Sequence, residues 1–204
     1  MSDFTYENFD PTNSLETYEW DNVWWEQAPT QNATRVLYIG DSISCAMRRK
    51  ATAFACNRLL FDGFGTSKAV DNPYFLSSVK SFAEQERERK IVLFNNGLHG
   101  WHLTEAEYGE HYKKLVTALK AEFSDCVIAL VLTTAITDIE RNERVSVRNE
   151  KVKEIAKELS LPIIDLNEVS AKNISLISGD GVHFTDKGYD VMVEFLVGEV
   201  EKLI

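Results

Sequence analysis

Short apolar runs alternate with longer, charged, periodic stretches through most of this 204-residue chain, and no other pattern in it restricts the fold as strongly. Val36–Ile39, Asn57–Phe61, Ile91–Phe94, Val127–Leu132 and Pro162–Leu166 read as strands. Ile91–Phe94 lacks polar alternation, which marks a strand buried on both faces. The segments between them read as helices. Ser44–Phe54 carries Ala and Met on its apolar side, and Asn72-Pro73 opens a helix running to about Arg89. Thr104-x-x-Glu107 is a capping box for a helix reaching Phe123. In Ile139–Leu159, Val152, Ile155 and Leu159 recur on one face, and Asp186–Leu203 closes the chain with Met192, Phe195 and Leu196 at core positions. Strands alternating with helices of about 10–20 residues predict an α/β fold, a parallel sheet of five strands covered on both faces.

A hydrophobic content of 44% in 204 residues is enough for one filled core. The net charge of -10 argues against nucleic acid or an anionic membrane surface as the main partner. Its distribution divides the chain: residues 1–34 hold seven acids and no Lys or Arg, so 1–34 reads as an aromatic, acidic strap and 35–204 as the main domain. The strap contains Phe4, Tyr6, Phe9, Tyr18, Trp20, Trp24 and Trp25, a content foreign to disordered tails, so Glu16–Gln27 is expected to pack onto something. It either covers an exposed face or forms a wall of the active site or a subunit contact. Cys45, Cys56 and Cys126 cannot all pair and lack metal-ligand spacing, so buried thiols in a reducing compartment are expected. No basic segment followed by an apolar run is visible near the start, and no apolar stretch reaches membrane-spanning length. A cytoplasmic location is the resulting expectation.

Two motifs carry candidate chemistry. Val36–Ile39 ends in Gly40-Asp41-Ser42, which puts a serine at a strand-to-helix turn, beside the free N–H groups of a helix start. Open α/β sheets place their ligands at this carboxyl edge. Near the other end stands Asp180-Gly181-Val182-His183. An Asp three residues before a His in a tight turn can accept from one ring nitrogen and leave the other free as a base. A capping Asp and a surface His would read the same way in isolation. Taken with Ser42, the chain order Ser…Asp…His is a known solution to the triad geometry.

These residues resemble the SGNH hydrolase family, the GDSL esterases and lipases. Ile39-Gly40-Asp41-Ser42-Ile43 matches the first family block, with Ile in place of Leu, and Asp180–His183 followed by Phe-Thr-Asp-Lys-Gly-Tyr matches the last. The resemblance runs from Arg35 to about Glu201. It implies a flavodoxin-like three-layer αβα sandwich, with Ser42 as nucleophile, His183 as general base and Asp180 orienting His183. It also implies an oxyanion hole built from the Ser42 N–H, a glycine and a side-chain donor. Gly65 is the best match for the glycine, with Gly63 as competitor. The third block departs from the family's Gly-x-Asn-Asp: Asn95-Asn96-Gly97-Leu98-His99-Gly100 aligns His99 with the Asn and puts Gly100 in place of the Asp. His99 is therefore one candidate donor and Asn96 or Asn95 the other; His99 as a mere loop cap is the third alternative. His102 and His111 align with nothing and read as surface or capping residues.

The function expected is hydrolysis of a small acyl ester, acetyl above all, carried by a sugar or another small metabolite, through an acyl-enzyme. This chemistry needs no metal or cofactor. A non-hydrolytic binding protein on the same scaffold is the alternative, favoured by the altered third block.

Overall fold

The computed structural model describes residues 7–85 and 88–204. Its sheet has six strands: β1 (Asp21–Trp24), β2 (Thr34–Gly40), β3 (Leu59–Thr66), β4 (Ile91–Phe94), β5 (Val127–Val131) and β6 (Ile163–Ile164), in the order β1-β3-β2-β4-β5-β6. From β3 to β6 every pair is parallel, while β1 runs antiparallel to β3 at the edge. Helices α1 (Ser42–Phe54), α5 (Leu166–Lys172) and α6 (Asp186–Glu201) lie on one face; α2 (Phe75–Ala83), α3 (Glu105–Glu122) and most of α4 (Ile139–Leu159) cover the other. The residue alternation of β2 shows the partition. Val36 and Tyr38 enter the core under α1 and α6, whereas Leu37 and Ile39 enter the core under α2 and α3. The expected three-layer αβα sandwich is therefore present.

The sheet differs from the sequence expectation in strand number. The sixth strand, β1, comes from the aromatic strap and is too short and too polar to show period-two patterning; its pairing with β3 defines it. β3 itself runs well past Phe61. The expected strand ends at Phe61, but pairing with β1 on one side and β2 on the other holds Asp62–Thr66 extended. Asp62 is satisfied there by a buried ion pair with Arg35 at 2.7 Å and by the Glu26 N–H.

Smaller corrections have local causes. The Asn72 side chain turns the chain by accepting from Tyr74 N–H, so α2 begins at Phe75, and it ends at Ala83; the expected extension to Arg89 includes two positions, 86 and 87, outside the described residues. Asp165 caps a helix where strand was expected, and β6 is cut to Ile163–Ile164. Cys56 is exposed, in the left-handed turn that joins α1 to β3. The capping box at Thr104 forms as read.

Candidate active site

Ser42 is the first residue of α1, directly beyond the carboxyl end of β2. Asp41 caps the helix: its backbone is extended and its carboxylate accepts from Ile43 N–H at 2.9 Å. That bond uses the Ile43 amide and leaves the Ser42 N–H among the unpaired donors of a helix start. Asp180 and His183 sit in a loop closed by backbone bonds from Ser178 N–H to His183 O (2.7 Å) and from Gly181 N–H to Ser178 O (3.0 Å). Gly181 has φ +79, and a Cβ there would fall 2.4 Å from Thr137 Oγ1, so the turn requires glycine. Thr137 N–H donates to Gly181 O and fixes this loop against the one that follows β5.

The two motifs meet across 141 positions of sequence. His183 Nε2 lies 2.8 Å from Ser42 Oγ, and His183 Nδ1 lies 2.6 Å from Asp180 Oδ2. The other Asp180 oxygen accepts from Ser178 Oγ, Val182 N–H and His183 N–H. Burial pushes the Asp180 carboxyl up, but those donors and the His183 ring outweigh it and hold the group well below the usual carboxylate range. An ionised Asp180 fixes the proton on Nδ1, so Nε2 is the acceptor facing the serine hydroxyl. Both Asp180 and His183 remain open to solvent.

A cavity of about 150 Å³ surrounds this array, lined by Ser42, Asp180, His183 and His99 together with Leu98, Trp101, Ile136, Val182, Arg141 and Glu7. The array thus gathers four of the residues singled out in the sequence. Two others are placed elsewhere. Asn96 is fully buried and does not line the cavity: its side-chain N–H donates to Lys68 O at 2.8 Å and its backbone carbonyl accepts from Tyr108 Oη.

Gly65 is a ladder residue of β3, opposite Asn22 on one side and Gly40 on the other. Bonded pairs alternate along an antiparallel ladder. Since Ser67 N–H donates to Trp20 O at 3.1 Å, Asn22 and Gly65 form the next bonded pair, which directs the Gly65 N–H into the sheet. Neither Gly65 nor its competitor Gly63 lines the cavity. The glycine is needed for another reason: a Cβ on Gly65 would fall 2.1 Å from Cys45 Sγ.

His99 is held in place from both sides. Arg148, with no exposed surface, donates to the carbonyls of Gly97, His99 and Gly100 at 2.8–2.9 Å and stacks over Trp101 and Tyr108. From the strap, Trp20 meets the His99 ring edge-on at 6.3 Å, and a Glu16 oxygen lies 3.9 Å from His99 Nδ1. Burial, and then the charge of Arg148, lower the His99 pKa to about 4, so the ring is neutral. His102, read as a surface or capping residue, has its side chain buried in a pair with Asp71 at 2.8 Å.

A wall of the active site is one of the readings the sequence gives the strap, but no motif singles out its individual residues at this edge. Glu7, Glu16 and Trp20 reach it because β1 anchors them, through bonds of Glu19 to Ser67 and Asn72 and of Asp21 to Lys68. Among the described residues no cluster of His, Cys, Asp and Glu is arranged to hold a metal ion, and no helix is long and apolar enough to cross a membrane. A larger groove of about 960 Å³ between β1 and α2 has no histidine in its lining.

This architecture is the fold of the GDSL-type lipases and acylhydrolases. A GDSL-like lipase from Bacteroides thetaiotaomicron superposes with a TM-score of 0.65 at 18% identity, over 86% of this chain and 92% of that one. A lipase/acylhydrolase from Enterococcus faecalis gives 0.62 at 16% identity, over 83% and 96%. An acetyl xylan esterase gives 0.64 at 16% identity, over 81% and 99%. No protein-family model matches the sequence, and no curated protein sequence matches it.

Proposed function

We propose that this protein is a serine esterase that removes a small acyl group, acetyl above all, from a small-molecule ester. The observation that carries the reading is the continuous hydrogen-bonded chain Ser42–His183–Asp180 at the carboxyl edge of the sheet. In this mechanism His183 Nε2 takes the proton of Ser42 as Oγ attacks the ester carbonyl, and Asp180 stabilises the imidazolium that forms. The imidazolium then protonates the departing alcohol, and water releases the acyl group by the reverse use of the same base. The developing oxyanion is met by the Ser42 N–H and by a neutral His99 ring.

The cavity size supports a small acyl group: about 150 Å³ is well below the roughly 300–1,000 Å³ of clefts for drug-sized ligands. An acetylated sugar is the substrate class we favour, because one protein with this fold is an acetyl xylan esterase and because aromatic strap residues border the site. The engagement of Gly65 and Asn96 elsewhere favours one second reading, a binding protein of the same fold without turnover. Hydrolysis of p-nitrophenyl acetate and butyrate separates the two. The expected result is acetate cleavage faster than butyrate cleavage, abolished in Ser42→Ala; equal rates in both proteins would sink the esterase.

A further inference from the structure

Arg141, in the first turn of α4, lines the same cavity as Ser42 and His183, and the ester chemistry above gives it no task. Its neighbours Arg144 and Arg148 are committed to holding the loop after β4. Arg144 binds Glu105 and the carbonyls of Trp101 and Leu103, and Arg148 binds three further carbonyls. The guanidinium of Arg141 instead lies between two rings, 5.2 Å from the Trp101 centroid and 5.6 Å from that of Phe9. Its fork faces the carboxylate of Glu7, with Nη1 3.2 Å from Oε1 and Nη2 2.8 Å from Oε2. Glu7 lines the cavity as well.

Resting on the esterase reading, we propose that the site takes esters bearing a carboxylate, that the Arg141 fork binds that carboxylate, and that Glu7 occupies its place when no substrate is bound. A guanidinium presents two parallel donors that match the two oxygens of a carboxylate, a fit that a neutral hydroxyl or amide does not reproduce. Stacking between Phe9 and Trp101 fixes the plane of the fork in advance. The Glu7–Arg141 pair is partly open to solvent, and pairs of that kind contribute little stability, so an incoming carboxylate can replace Glu7. The guanidinium groups of Arg141, Arg144 and Arg148 all gather around Trp101, with Glu7 and Glu105 as their counter-ions.

The test uses binding, so that it does not depend on turnover. In the full-length Ser42→Ala protein, 4-acetoxybenzoate and its neutral isostere 4-acetoxybenzamide are titrated calorimetrically. The acid is expected to bind at least tenfold more tightly than the amide, and Arg141→Gln to bring the two to parity. Arg141→Lys, which keeps the charge and loses the fork, is expected to retain only part of the preference. Glu7→Gln is expected to tighten binding of the acid several-fold and leave the amide unchanged. Equal affinities for acid and amide, no binding of the acid at millimolar concentration, or a preference that survives Arg141→Gln would each overturn the proposal. Failure of the esterase reading shows elsewhere, as absence of Ser42-dependent turnover of p-nitrophenyl acetate.

Discussion

His99 and Glu16 face each other with opposite titration behaviour. Burial, relieved in part by the Asn8 N–H and increased by the Glu19 charge, raises the Glu16 pKa from 4.5 to about 7. Between those values the native protein holds a proton that the unfolded chain has released. The stability that Glu16 contributes is therefore full below about pH 4.5 and is lost as pH rises through 7, at about 1.4 kcal/mol per unit. His99 acts the other way: its folded pKa of about 4 lies below the ordinary 6.5, so its contribution is full above 6.5 and is lost as pH falls towards 4. The two slopes nearly cancel in the wild type. Glu16→Gln removes one of them, so the variant should gain stability relative to wild type between pH 5 and pH 8, as measured by urea unfolding at the two values. A difference that does not change with pH would mean Glu16 does not titrate in this range. For catalysis, His99→Ala is expected to lower kcat by about 10²–10³ with KM largely spared, and His99→Asn to recover much of the loss. Near-normal kcat in His99→Ala would remove His99 from the oxyanion hole. Ser42, Asp180 and His183 were legible because each belongs to a short motif whose local turn dictates its geometry. For Gly65 and Asn96 the local sequence says less, because partners far along the chain, Asn22, Lys68 and Tyr108, decide how their polar groups are engaged.

At the scale of the element, the strap is tied to the sheet at several points. β1 covers the β3 edge, Trp25 stacks on Phe82 at 4.2 Å, and the carbonyls of Glu26 and Gln27 accept from the buried Arg35. Deleting residues 1–28 would expose the β3 edge at 63–66, leave Arg35 and Asp62 short of partners, and lose the stacking of the half-buried Trp25 on Phe82. The truncated protein is expected to melt at a lower temperature, to aggregate more readily and to lose turnover. An unchanged melting temperature with unchanged kinetics would show that the strap contributes neither stability nor a site wall. The aromatic content of residues 1–34 signalled packing, but four residues of mixed polarity do not announce a strand; only the register with β3 defines it.

Across the whole molecule, the layered α/β plan was readable because the central strands are apolar on both faces and the long helices carry their own caps. Ile91–Phe94 and Ile139–Leu159 have the predicted boundaries. The plan failed at the two sheet edges, where β1 and β6 are short and where neighbours rather than composition decide what is strand. The polarity of β1 carries a further consequence. A strand antiparallel to β3 receives its chain at the carboxyl edge, so residues 7–20 lie across the rim that holds Ser42. Leu203 and Ile204 lie at the opposite rim, lining one surface groove with Thr34 and Lys90. A fusion partner or surface tether placed ahead of residue 7 is therefore expected to crowd the mouth of the cavity around Ser42, whereas the same attachment after residue 204 is expected to leave that mouth open.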